Sequence, residues 1–106
     1  MFNNMGQMQG MMKKVQKMQA EMQKMQEELK TRTVDVTVGG GVVSLTMNGE
    51  KLLTGVKIDP AAVDPEDVEM LEDLLLAAVN EASKKVDDMT SSEMNKITGG
   101  LKLPGM

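Results

Sequence analysis

The chain has no histidine, cysteine, tryptophan or tyrosine, and one phenylalanine, Phe2, among 106 residues. Without histidine or cysteine, the usual general base near neutral pH, the commonest metal ligand and the activated thiol are all missing. Catalysis has little to work with, and neither a cofactor nor a small-molecule substrate is expected. Disulfides are excluded, which fits the reducing cytoplasm. The scarcity of rings removes stacking platforms for unpaired bases. Arginine occurs once, at Arg32, although arginine is the commonest reader of guanine. No run approaches the roughly 20 apolar residues of a membrane span. No compact apolar stretch precedes a small-residue cleavage site, so a cytoplasmic location is expected.

Methionine is abundant, with 13 residues, and its placement is regular. Met8, Met11, Val15, Met18, Met22, Met25 and Leu29 recur at alternating steps of three and four, which puts them on one stripe of an α-helix. Gln, Lys and Glu fill the positions between. From Met5 to Lys30 such a helix runs roughly 39 Å at about 1.5 Å per residue. A compact domain of this size has a radius of gyration of only about 13 Å, so the helix must project. Gly6 and Gly10 predict fraying before Met11. Thioethers at these spacings suit a soft ion such as Cu(I). A packing seam, however, accounts for Val15 and Leu29 as well. An adaptable methionine surface also fits a protein-interaction adaptor that docks a partner's helix.

Three strands follow. Val34, Val36 and Val38 alternate with polar residues, then Gly39-Gly40-Gly41 punctuates, and Val43, Leu45 and Met47 alternate again. Asn48-Gly49 is a hairpin signal, and a third strand runs from Leu52 to Ile58. A two-residue Asn48-Gly49 turn pairs Leu45 with Leu52 and Val43 with Thr54, merging the apolar faces. For the first hairpin, only a two- or four-residue loop keeps the valines on one side; Gly39-Gly40 as the turn pairs Val36 with Val43. The triple glycine is no phosphate loop, since no helix or GK[ST] follows it. Asp64 then reads as a helix N-cap with Pro65 at the first helical position. Val68, Leu71, Leu75, Ala78, Ala82, Val86 and Met89 form an amphipathic face over the sheet. Its acids, Glu66, Asp67, Glu69, Glu72 and Asp73, read as a solvated face favoured by the helix dipole. Thr90 to Glu93 has the pattern of a capping box, so either a second short helix starts there or the first continues with a kink. Gly99-Gly100 is the expected stop before a loose tail.

The fold class is therefore α+β in the order α-β-β-β-α: a three-stranded antiparallel sheet packed with a C-terminal helix, plus a long projecting N-terminal helix. One domain spans 1–106, with the arm at 1–31, the sheet at 32–59, the helical part at 60–98 and the tail at 99–106. The body is small enough to be marginal alone, so a homodimer is expected, with higher assemblies left open.

Net charge is −4 but unevenly distributed. Lys13, Lys14, Lys17, Lys24, Lys30 and Arg32 outnumber three glutamates in residues 1–32, giving +3, whereas residues 33–106 carry six lysines against 13 acids, giving −7. Lys13, Lys17 and Lys24 share a stripe opposite the seam, and Lys14 flanks it. Two protruding basic helices could straddle duplex DNA through its phosphates with weak sequence preference. The plain alternative is a solvated face that keeps the helix soluble.

The segments MKKVQKMQAEMQKMQEEL, GGGVVSLTMNGEKLLTGVKIDP, EMLEDLLLAAVNEA and KITGGLKLPG together resemble the YbaB/EbfC family of small bacterial nucleoid-associated proteins. The resemblance covers nearly the whole chain. It implies a cytoplasmic, nucleoid-associated α/β homodimer with tweezer-like helices that binds double-stranded DNA, without catalytic activity. Carried to matching positions, the family's basic first helix falls on Lys13, Lys14, Lys17, Lys24 and Lys30, with Arg32 at its end. Departures are the acidic total charge and an arm richer in Gln and Met than in Arg.

Overall fold

A computed structural model describes the backbone of residues 2–98 and the side chains of residues 8–98. In chain order it has α1 (Phe2–Thr31), β1 (Thr33–Val38), β2 (Val43–Asn48), β3 (Leu53–Ile58), a 3₁₀ turn (Pro60–Ala62) and α2 (Val68–Thr98). The expected α-β-β-β-α order and the antiparallel β1-β2-β3 sheet are present. The expected Gly99-Gly100 stop and the tail beyond it lie outside the described residues.

The core is where valine alternation meets alanine on α2. Val36, Val43, Leu45 and Met47 from the sheet pack with Ala62, Ala78, Ala82 and Val86. Small side chains at Ala78 and Ala82 let the helix backbone approach β1 and β2 closely. Each fully buried side chain such as Leu45 or Val86 contributes about 1.5–3 kcal/mol, so this short roster makes a small core.

Three local expectations are corrected, and the first hairpin takes one of its two expected forms. The N-terminal helix does not fray before Met11 but extends to Phe2, through Gly6 and Gly10. A helical glycine costs only about 1 kcal/mol and removes no hydrogen bond, and no proline interrupts. In the first hairpin Val36 pairs with Leu45 and Val38 with Val43, so the connection is the four-residue alternative, with Gly39, Gly40 and Gly41 all at positive φ. The second hairpin does not turn on Asn48-Gly49 as its central pair. Asn48 N–H donates to Leu52 O at 2.9 Å, Lys51 N–H donates to Asn48 O at 2.9 Å, and Lys51 has φ 64. The loop is thus three residues, Gly49 to Lys51, with the left-handed residue last. A bulge at Thr54 follows, pairing Met47 with Leu53 and Leu45 with Val56. Leu53 thereby takes the face expected of Leu52.

The third correction is at the start of α2. Asp67, not Asp64, is the capping residue: its Oδ1 accepts from Met70 N–H at 3.3 Å, while Asp64 Oδ1 accepts from Glu66 N–H in a preceding turn. Both aspartates offer the same chemistry, and Pro65 serves the turn rather than the helix. At the other end α2 continues through Thr90–Glu93 without a new start.

Asn48 and Gly49 hold the arm. Buried Asn48 accepts from Glu50 N–H and Leu52 N–H through Oδ1, which shapes the loop. Gly49 N–H then donates to Leu29 O at 2.9 Å and Arg32 O at 3.1 Å, satisfying carbonyls that the end of α1 leaves unpaired. A Cβ at Gly49 would lie 2.2 Å from Leu29 O and 2.7 Å from Leu29 Cβ. We expect Gly49→Ala to cost about 2 kcal/mol by overpacking, visible as a melting temperature lower by roughly 10 °C in calorimetry. Gly10→Ala, on an open helical face with nothing within 4 Å, should instead raise helicity in circular dichroism.

Candidate nucleic-acid interface

The arm stands clear of the body. The molecule measures 78 × 27 × 15 Å with a radius of gyration of 21.0 Å, against about 13 Å for a compact chain of this size. The seam explains how far the body reaches. Met25 and Leu29 are buried, Met18 and Met22 are half-buried, and Met8, Met11 and Val15 are 64%, 67% and 53% exposed. The last turns of α1 are therefore seated in a groove shared with Gly49, Thr90 and Met94. Beyond Met18 the helix runs without cover from the body.

The six basic residues divide into two groups. Lys13, Lys14, Lys17 and Lys24 are exposed on the free length of the arm, and among the described residues no ion pair involves them. At 3.6 residues per turn, Lys13, Lys17 and Lys24 fall within about 40° of one another, roughly 145° around the helix from the seam. Lys14 sits apart from this stripe, lining a shallow apolar groove with Met11, Val15 and Met18. Lys30 and Arg32 are engaged at the base. Lys30 Nζ lies 3.4 Å from Glu27 Oε1 on the same helix. Arg32 Nη1 donates to Glu93 Oε1 at 2.6 Å, and Lys96 Nζ reaches the same oxygen at 3.1 Å. Arg32 thus ties the end of α1 to α2.

Glu93, Asn48 and Gly49 are the positions that sequence reading did not connect to the arm. Thr90–Glu93 was legible as a capping pattern and Asn48-Gly49 as a hairpin signal, but their contact with α1 is long-range and leaves no local trace.

The hydrogen bond from Arg32, with a second from Lys96, holds the Glu93 carboxyl below its ordinary pKa. A depressed carboxylate stabilises the fold above the unfolded-state value and loses that contribution as pH falls through the folded one. Wild type should exceed Glu93→Gln in stability at neutral pH, and the gap should close on acidification below the ordinary glutamate value of 4.5. Denaturant melts of both proteins across pH 3–7 read this directly; a gap independent of pH would overturn it.

A small α+β body carrying one long, basic, outstretched helix defines a class of non-globular binding modules. Its free surface is a charged rod, and among the described residues no cluster of His, Cys, Asp or Glu is arranged to hold a metal ion. No described helix is long and apolar enough to cross a membrane. Comparison with known proteins is specific. The model of the YbaB/EbfC DNA-binding family matches residues 5–101. The chain is 60% identical over 101 residues to a nucleoid-associated protein of Moorella thermoacetica, covering 95% of this chain and 97% of that one. It is 59% identical over 103 residues to one from Halalkalibacterium halodurans, covering 97% of each. A crystal structure of an uncharacterized protein from Helicobacter pylori matches with a TM-score of 0.64 at 28% identity, over 74% of this chain and 82% of that one. The chain belongs to the YbaB/EbfC DNA-binding family, a nucleoid-associated family and not a class of enzymes.

Proposed function

We propose that this protein binds double-stranded DNA at the nucleoid as a homodimer, through phosphate contacts from its paired basic arms. The observation that carries the reading is the stripe of Lys13, Lys17 and Lys24, exposed and without acidic partners among the described residues. The relatives' designation as nucleoid-associated proteins supports the choice of duplex DNA as ligand. Lys14 adds to the field on the arm, while Lys30 and Arg32 contribute at its base, where Glu27 and Glu93 already offset them. The acids of α2 repel the same duplex and confine contact to the arm. Lysine point charges on a rod whose one aromatic residue is Phe2, at its tip, bind phosphate rather than read base edges, so sequence preference is weak.

Dimerisation is supported by the uncovered side of the sheet. α2 packs on β1 and β2, whereas β3 is an edge strand whose Leu53 and Val56 remain 44% and 56% exposed on the core face. A second copy covering them would enlarge a core that is small by itself. Two bodies joined there present two arms to one duplex.

Anisotropy titration with duplex DNA over a salt series tests this. If roughly four to six phosphates are neutralised, log affinity falls against log salt with a slope of about −4 to −5. Replacing Lys13, Lys17 and Lys24 by Gln in both arms should remove most of that slope, with the melting temperature unchanged. Binding insensitive to salt, or an unaltered slope in the triple variant, would overturn the reading.

A further inference from the structure

The arm has a second face that phosphate binding does not use. The seam continues past the body for two heptads, leaving Met8, Met11 and Val15 exposed and Met18 and Met22 half-covered. Met12, beside the seam, is exposed too. We infer that this strip is the docking surface for the same strip on a second copy, with the two arms antiparallel and Val15 of each against Met18 of the other.

Charge chooses both partner and register. The residues flanking the seam on one side are Lys14, Glu21 and Glu28, and on the other Met12, Gln19 and Gln26. In an antiparallel pair, like flanks face each other. With Val15 against the partner's Met18, Lys14 lies beside the partner's Glu21, and Glu21 beside the partner's Lys14. Met11 meets the partner's Met22, which makes four apolar layers between the two bodies. Sliding one arm by a heptad one way places Lys14 on the partner's Lys14; sliding it the other way pairs Lys14 with the partner's Glu28 but sets Glu21 on the partner's Glu21 and needs Met25 and Leu29, which the body buries, as apolar layers. A parallel pair sets both charges against glutamine and gains neither attraction. Self-complementarity of this kind is what an isologous two-fold contact requires.

The register has a geometric consequence. It sets the two arm bases about 44 Å apart at 1.5 Å rise per residue, one at each end of the paired rod. Bodies so separated are not in contact, so arm pairing joins different dimers and does not replace the body interface. Two distinct two-fold contacts on one chain build assemblies larger than a dimer, closed where their axes meet and open where they do not. The lysine stripes, on the far side of each helix from the seam, point outward in the pair and stay available to phosphate.

Sedimentation velocity without DNA, over a wide concentration range, reads the assembly. The full chain should show species beyond those retained by Val15→Asp, growing with concentration. Lys14→Glu and Glu21→Lys should each weaken that association by about tenfold, since two attractions become two repulsions. The double exchange should restore it. Because the chain has no cysteine, orientation is read separately: air oxidation of a mixture of Val15→Cys and Met18→Cys should give mainly the mixed disulfide. Disulfides joining like positions would overturn the antiparallel register. A full chain that never exceeds the Val15→Asp species, while binding DNA normally, would overturn self-pairing, assign the strip to another protein's helix, and leave the DNA reading standing. Loss of salt-dependent DNA binding with intact assembly would do the reverse.

Discussion

The structure depends on one close approach: the backbone of Gly49 against the last turn of α1. A helix end leaves carbonyls without partners, and here the N–H of Gly49 answers two of them, Leu29 O and Arg32 O. Only a residue without a side chain permits that distance. Met25 and Leu29 can then bury beside the hairpin and α2, and Arg32 comes within reach of Glu93. A 30-residue helix is thereby held by little more than its last two turns. Everything beyond is carried by the helix itself, which is why Gln, Lys, Glu and Met fill it: all lose little side-chain freedom in a helix. A long stretch of such residues can stay helical without packing, whereas a short one cannot.

Separation of charge follows from the same clamp. Were α1 to fold back over the body, its lysines would lie against a part of the chain that carries 13 acids and six lysines. Instead the link recorded between the arm's end and α2 is Arg32 with Glu93, at the hinge. A separate ion pair between α2 and the second hairpin, Lys51 with Asp87 at 2.7 Å, steadies the loop that carries Gly49. Among the described residues, acid and base are thus paired at the hinge, while Lys13, Lys14, Lys17 and Lys24 on the arm have no ion-pair partner. Exposed pairs of this sort contribute little to stability on their own; their effect is to fix the direction in which the arm leaves the body.

Local chemistry was legible in the sequence, and contacts across the chain were not. Alternation of Val34, Val36 and Val38 with polar neighbours gave strand β1 and its buried face, because the pleat has a period of two. Parity excluded a simple three-residue loop at Gly39–Gly41 but could not choose between two and four. Asn48-Gly49 marks a hairpin, yet the register is not that of a two-residue turn. A left-handed Lys51 and a bulge at Thr54 are decided by where Gly49 must sit against α1, which no local pattern encodes. The same limit applied to the basic residues. Spacing grouped Lys13, Lys17 and Lys24 correctly on one stripe. It had no means of telling that Arg32 faces Glu93, 61 positions away.

The persistence of the seam beyond the body is the feature that demands most explanation. Docking of α1 needs Met25 and Leu29, with help from Met22 and Met18, and nothing further along. A rod meant only to hold lysines in solvent would be better served by Gln or Lys at positions 8, 11 and 15, since exposed apolar strips invite association. Heptad phase is nevertheless kept for two more repeats, with opposite charges, Lys14 and Glu21, one heptad apart on the same flank. Phosphate binding explains none of this, because the lysine stripe occupies the other side of the helix. An arm with one face for its own kind and one for DNA accounts for both patterns. Pairing arms antiparallel along the seam would set lysine stripes on opposite sides of each rod, able to hold two duplexes, or two stretches of one, side by side. On that geometry, assembly and DNA contact use separate surfaces of one helix and are joined mechanically only through the turn that Gly49 clamps.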